Sequence, residues 1–137
     1  MATETPAKPA APHRLAVFFQ CAGAQDVCSA LRTAVEDELQ KARFANLRTA
    51  AKADVAVNAR VAALQGRLSA DQQFAVRTYS IELSAEAVQS SEAVPMPAPA
   101  TLSYDPTFGG ERVAEKARLV AGEVAEKLQA FVANQAR

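Results

Sequence analysis

The chain has 137 residues, half of them apolar, and its 15 basic and 15 acidic side chains leave no net formal charge. This length corresponds to a single domain that buries a core of its own. A balanced charge gives no overall attraction to nucleic acid or to an anionic membrane surface. Since no apolar run approaches the roughly 18 residues that span a bilayer, we expect a globular domain without a nucleic-acid partner.

The chain begins with a lead rich in alanine and proline, residues 1–13. Its composition predicts a disordered tether, and it lacks the apolar stretch of a signal peptide. Two origins fit this composition. The lead is either the natural start of a cytosolic protein or the tether that follows a removed signal peptide or lipid-attachment segment. In both cases we expect one folded domain over residues 14–134. In the second case the only attachment to a membrane is through a tether upstream of the chain.

The first predicted elements are a strand and an amphipathic helix. Apolar residues occupy both faces of Leu15–Cys21, which is typical of a central strand. A turn containing Gly23 follows. Apolar residues at spacings of three and four then predict a helix, for which Asp26 is the candidate N-cap and which ends near Arg43.

The middle of the chain predicts two antiparallel strands. Residues 53–64 alternate between apolar and polar side chains, with the apolar set facing inward. Residues 65–72 contain glycine, serine and aspartate and are typical of a hairpin connection. Residues 73–88 predict the next strand, in which the apolar face changes near Arg77 and indicates a bulge or burial on both faces.

The last third begins with a segment, residues 89–99, in which three closely spaced prolines exclude a central strand. We interpret it as a loop or a sheet edge, followed by a short strand over Ala100–Tyr104 and a long helix over residues 111–134. The element order is therefore β-α-β-β-(β)-α. It predicts an α+β fold, a mainly antiparallel sheet with two helices packed on one face.

The only two cysteines, Cys21 and Cys28, lie on either side of the first strand-to-helix turn. The turn folds the helix back over the sheet, so that the two can approach within disulfide range, and a disulfide would indicate an oxidising compartment. The alternative is a pair of reduced, buried thiols. Their spacing fits no common zinc site, and the single histidine, His13, lies in the lead, so we assign no metal site.

No arrangement of residues typical of catalysis is present. No two carboxylates are placed so that one would be desolvated for acid–base chemistry, and a cysteine nucleophile would need a histidine base other than His13. Gly109 and Gly110 precede a helix without the other residues of a phosphate-binding loop. We therefore expect no enzymatic activity, no cofactor and no catalytic residue.

The segment around residues 89–104 is the predicted contact with partners. Its prolines require an extended, largely solvent-facing chain, and stiff segments lose little order on binding. The apolar side chains that we expect to be exposed for this purpose are Val94, Met96, Leu102 and Tyr104. The alternative is that these side chains only cover the sheet edge and prevent aggregation.

Four stretches carry a resemblance to a known architecture. They are RLAVFFQ, SALRTAVEDELQKARF, KADVAVNARVAAL and FAVRTYSIELSAEAV, within residues 14–134. In element order and local pattern they resemble the small α/β module of bacterial envelope proteins. Its examples are the N-terminal domain of the Tol-Pal translocation protein and the periplasmic domain of the curli-secretion channel family, with related outer-membrane lipoproteins.

The resemblance implies a non-enzymatic envelope module that binds other envelope proteins or copies of itself, including as a ring. It also implies a periplasmic or outer-membrane-associated location. The alternative is a cytosolic structural or regulatory α+β domain with reduced cysteines.

Overall fold

The computed structural model describes residues 14–64, 77–105 and 110–135. The predicted lead, the hairpin connection over residues 65–72, the beginning of the next strand and Gly109 lie outside these ranges. Within them the chain forms five strands, two long helices and one 3-10 turn. In chain order they are β1 Ala16–Gly23, α1 Gln25–Lys41, β2 Ala45–Leu47, the 3-10 turn Ala50–Lys52, β3 Val55–Ala63, β4 Arg77–Ala87, β5 Ala100–Tyr104 and α2 Gly110–Gln135.

The strands form one sheet in the order β2-β1-β3-β4-β5, with both helices on one face. The predicted α+β fold is confirmed. The sheet is mixed, however, and not mainly antiparallel, because β1 pairs in parallel with both β2 and β3. The reason is that the chain returns to the end of the sheet where β1 started, through α1 before β2 and through residues 48–54 before β3, so that β2 and β3 run in the same direction as β1.

The core lies between the sheet and the helices. Every second residue of β3 faces the helices, and the helical stripes face the sheet, as the apolar periodicity predicts. Each large apolar side chain that is buried there stabilises the fold by roughly 1.5–3 kcal/mol. The largest fully buried side chains are Leu31, Leu39, Ile81, Leu128, Val17, Val27, Val35, Val55, Val57, Val120 and Val124.

The other face of the sheet carries no helix in the described part of the chain. Arg60 and Glu82 are cross-strand partners there and both are exposed. The antiparallel pair β3–β4, covered by helices on one face only, alternates in this way between a buried and a solvated side. The predicted polar character of this face is therefore confirmed.

The proline-containing segment runs back along β4, beyond the point where β5 pairs with it. The backbone N–H of Val94 donates to the carbonyl of Ala85 at 2.9 Å, and that of Ala87 donates to Glu92 at 2.8 Å. The turn between them places Ser91 at a φ of 57°. The segment thus forms a partial edge for β4, which agrees with the predicted loop or edge.

Candidate functional site

The predicted contact residues are mostly not on the surface. Val94 and Leu102 are each 3% exposed and Tyr104 is 5% exposed, so the expected exposure of these three side chains is wrong. The backbone N–H of Val94 is hydrogen-bonded to β4, which holds Val94 against the sheet. Leu102 and Tyr104 lie on the helix-facing side of β5. Only Met96 is partly exposed, and it too packs against the core. A role in partner binding stays a prediction for Met96 alone.

A tyrosine–aspartate hydrogen bond joins β5 to the first turn of α1. The Tyr104 hydroxyl donates to a carboxylate oxygen of Asp26. This bond lowers the pKa of Asp26 below its ordinary 3.8, and burial raises the pKa of the Tyr104 phenol. The expectation that Asp26 is the N-cap of α1 is wrong: the cap residue is Ala24, which makes no side-chain cap hydrogen bond. Asp26 is one residue inside the helix, where it serves the tertiary contact instead.

The cysteine pair lies beside this bond at the end of β1. Cys21 and Cys28 are joined as a disulfide, with Cα atoms 5.6 Å apart, so the geometry that the sequence predicted is present. Cys28 is only 4% exposed. The disulfide joins the last residues of β1 to the first turn of α1. That the two cysteines are oxidised in the cell stays a prediction. The described residues contain no group of three or more His, Cys, Asp or Glu side chains that could hold a metal ion.

A surface depression lies at the β2 edge of the sheet, next to β1. β2 pairs only with Ala16, Val17 and Phe18. The remaining stretch, Phe19–Gly23, has no strand partner on that side among the described residues. We call the resulting depression of about 820 Å³ the β1 edge groove. It is lined by Arg14, Phe18, Phe19, Gln20, Arg32, Glu36, Gln40, Phe44, Asn46, Leu47 and Arg48.

The floor of the β1 edge groove is apolar and its rim is basic. Phe19 and Phe44 are each 8% exposed and form part of the floor. The charged lining side chains are three arginines and one glutamate, which leaves a formal excess of two positive charges. Arg32 and Arg48 are exposed, and neither has an acidic partner within 4.0 Å among the described residues.

The third arginine of the groove, Arg14, is held by two backbone carbonyl groups. Arg14 Nε donates to the carbonyl of Arg43 at 3.0 Å, and its Nη2 donates to the carbonyl of Phe44 at 3.2 Å. Arg43 has a φ of 63°, which is uncommon for a residue with a side chain. Arg14 therefore fixes the turn that leads from α1 into β2, and with it the end of the groove that Phe44 lines.

The other open edge belongs to β5, the last strand of the sheet. A shallow groove of about 370 Å³ runs between β5 and α2. It includes Leu119, which is 61% exposed and the most exposed large apolar side chain in the described part of the chain. Both ends of the sheet thus present strand edges that another chain can reach.

Sequence reasoning missed the β1 edge groove because it missed β2. A strand of three residues carries too short a pattern for its period to be recognised. The available signal was the alternation of Ala45, Asn46 and Leu47 directly after the helix. Without β2, neither the groove nor the placement of Arg48 at its end could be inferred.

No family model and no curated protein matches the chain. Solved structures share its fold. A Xanthomonas campestris protein of family DUF330 has a TM-score of 0.59 at 11% identity, with 91% of this chain and 92% of that chain covered. Lipoprotein B from Nitrosomonas europaea has a TM-score of 0.54 at 13% identity, with 89% and 86% covered. The PelC dodecamer from Paraburkholderia phytofirmans has a TM-score of 0.51 at 11% identity, with 85% and 86% covered.

These likenesses show the fold and nothing finer. The fold is one that a lipoprotein from Nitrosomonas europaea also adopts. They give no specific support to the Tol-Pal or curli proteins as relatives. In the described part of the chain, neither helix is long and apolar enough to cross a membrane.

Proposed function

We propose that the chain is a non-enzymatic, lipoprotein-like accessory domain of the bacterial cell envelope, which acts by contact with other envelope proteins and with copies of itself. The observation that carries the proposal is the fold. The arrangement of two helices on one mixed sheet is shared with a bacterial lipoprotein and with PelC, which was solved as a dodecamer.

The disulfide supports an envelope location. Structural disulfides persist in oxidising compartments such as the periplasm and are rare in the cytosol. Cys21 and Cys28 are the only cysteines of the chain, so that no other thiol competes for either partner. Closing so short a loop stabilises the fold by about 2 kcal/mol through its effect on the unfolded chain.

The surface supports action by protein contact. Isolated strand edges and exposed apolar side chains are features by which proteins recognise one another. The β5 edge, with Leu119 beside it, offers a five-residue strand and an apolar anchor. This is the surface through which we propose that copies of the chain meet.

The location is tested on the endogenous protein, tagged at its carboxyl end and fractionated into cytosol, periplasm and membranes. We expect it in the envelope fractions, and we expect the gene upstream of Met1 to encode a signal peptide with a lipid-attachment site. Alkylation of rapidly quenched cells should label no cysteine before reduction and two after it. A cytosolic protein with both thiols labelled before reduction would refute the proposal in favour of a cytosolic structural or regulatory domain.

Self-association is tested by light scattering and native mass spectrometry of the purified chain over the micromolar range. We expect a mass above that of the 14.5 kDa monomer. Leu119→Glu should reduce it, because a charge replaces the apolar anchor. Val132→Glu is the matched control, since Val132 is also an exposed apolar residue of α2, at 38% exposure. A monomeric wild type, or an equal effect of both variants, would contradict self-assembly through this surface.

A further inference from the structure

We propose that the β1 edge groove binds an extended, acidic peptide segment of a partner protein, which adds to the sheet as a strand beside β1. The proposal rests on the function given above, for which it supplies one binding surface and the chemistry of its ligand. The segment would continue the line of β2 and would occupy the place that the short β2 leaves empty.

The first argument is the unpaired backbone of β1. β1 has eight residues and β2 has three, so that Phe19–Gly23 lacks a neighbour on this side among the described residues. The carbonyl of Leu15 accepts a bond from Ala45, which shows that alternate residues of β1 point their backbone groups toward β2. Phe19 and Cys21 follow in the same alternation. Because Leu47 is the last residue of the ladder and takes the Phe19 N–H, the groups left without a strand partner on the β2 side among the described residues are the Phe19 carbonyl and the N–H and C=O of Cys21.

The second argument is that, within residues 14–64, 77–105 and 110–135, no segment gives this edge the usual protection. Proteins cover exposed edges with loops or helices, interrupt them with proline, or place inward-pointing charges on them. β4 is protected in this way, because the segment around Val94 pairs with it where β5 ends. β1 carries neither proline nor charge from Ala16 to Gly23, and the floor beside it is apolar. An edge with these properties pairs readily with an incoming strand.

The third argument is charge. Arg32 stands on α1 at one wall of the groove and Arg48 stands where β2 leaves the sheet. Both lack an acidic partner among the described residues, so that carboxylates of an incoming segment can pair with them without displacing an existing ion pair. Complementary charge selects the partner and speeds its encounter. The segment that fits is therefore acidic, with apolar residues toward the floor.

The same argument disfavours a second copy of this chain as the occupant. The groove beside β5 is lined by Arg112, Lys116 and Glu115, which is a net positive set. Bringing that edge against the β1 edge groove would oppose its one net positive charge to an excess of two, twice the charge that it would meet on a second β5 edge, and this costs affinity. The β5 edge is therefore a poor ligand for this groove.

The probe is a fluorescein-labelled hexapeptide, Asp-Val-Glu-Val-Asp-Val, titrated with the purified full chain and followed by fluorescence anisotropy. We expect saturable binding that weakens with added salt. The Arg32→Glu/Arg48→Glu variant should weaken it about tenfold or more, because two attractions become repulsions. Arg118→Glu/Lys127→Glu is the matched control: it changes the charge equally on exposed positions of α2, outside the groove beside β5, and should bind as the wild type does.

Two further peptides separate strand addition from plain charge attraction. The same sequence with alternate backbone amides methylated keeps its carboxylates and should bind about tenfold more weakly or not at all, because ladder bonds are lost. The sequence with lysine in place of each acid should not bind. Equal binding of the methylated or the basic peptide, or an unchanged affinity of the Arg32→Glu/Arg48→Glu variant, would overturn the proposal.

One further outcome identifies a different occupant. If the acidic peptide does not bind while Arg32→Glu/Arg48→Glu lowers the oligomeric mass, the groove is an interface between copies and the proposal is wrong. Because these measurements use the purified chain, they are independent of cell fractionation. A cytosolic location would refute the envelope function and leave the peptide result as it stands.

Discussion

Gly23 provides the sharpest test of the backbone geometry at the end of β1. It has a φ of 122°, a conformation that side-chain-bearing residues rarely adopt, and it pairs with Val61 across the parallel ladder. A Cβ atom at this position would lie 1.9 Å from the carbonyl oxygen of Val61 and 2.8 Å from its carbonyl carbon. These are backbone atoms of a central strand and cannot move aside as a flexible side chain would.

Gly23→Ala should therefore destabilise the protein by about 3 kcal/mol. Backbone strain of this kind costs roughly 1–3 kcal/mol. Separating the end of β1 from β3 also forfeits a ladder bond of about 1 kcal/mol. With a urea dependence of about 2 kcal/mol per molar for a domain of this size, the midpoint of urea unfolding should fall by about 1.5 M. Far-UV circular dichroism follows the transition.

Gly122→Ala is the matched control for this substitution. Gly122 lies in the interior of α2, and a Cβ there would meet nothing within 4 Å. Because alanine favours helix over glycine, the control should stabilise the protein by about 0.5–1 kcal/mol. If Gly23→Ala unfolds at the same urea concentration as the wild type or the control, the close approach of Gly23 to Val61 is absent from the protein in solution.

Three further substitutions test the core and the tyrosine–aspartate bond. Leu31→Ala should cost about 3 kcal/mol because Leu31 is fully buried, whereas Leu83→Ala should cost about 1 kcal/mol because Leu83 is partly exposed; equal thermal midpoints would contradict the assigned burial. Tyr104→Phe should cost about 1 kcal/mol at neutral pH, since the partner carboxylate is solvent-exposed. The folded pKa of Asp26 is lowered, so this contribution is present above 3.8 and is lost as the pH falls through the folded value. The free-energy cost of Tyr104→Phe should therefore shrink in acid. Urea unfolding curves of the variant and the wild type at neutral pH and at a pH below 3.8 check it.

The elements with a regular period could be predicted from the sequence. In β3, Val55, Val57, Ala59 and Val61 share one face and all four are buried against the helices, while the exposed Asn58 and Arg60 point the other way. The stripe of α1 and most of the stripe of α2 are buried for the same reason: a period of two or 3.6 places one set of side chains on one side. Val132 is an exception, because the end of α2 extends far enough that the residue remains 38% exposed.

The features that depend on distant partners could not be predicted. The sequence offers Asp26 as a helix cap, but its partner, Tyr104, lies 78 residues further along the chain. Val94 is buried because a turn returns its backbone to β4, which no local pattern encodes. The parallel placement of β1 beside β3 likewise follows from the path of the chain through α1 and residues 48–54. In each case the preference of the local sequence is outweighed by a contact that only the fold supplies.

The unpaired edge of β1 and the disulfide are connected by their positions in the fold. Cys21 lies within the unpaired stretch, and its bond to Cys28 anchors that stretch to the buried side of α1. A strand already held in its extended form loses less conformational entropy when a ligand strand pairs with it.

The Cys21→Ser/Cys28→Ser variant should therefore bind the acidic hexapeptide severalfold more weakly than the disulfide-bonded chain, through faster dissociation. It should also lose about 2 kcal/mol of unfolding free energy. The salt dependence of binding should stay unchanged, because the arginines of the groove are untouched and the charge pairing is the same. Anisotropy titrations at two ionic strengths measure both quantities on a variant that circular dichroism shows to be folded. An affinity equal to that of the wild type would mean that the edge is held in place by its pairing with β3 alone, and that the disulfide contributes to stability without preparing the groove for a ligand.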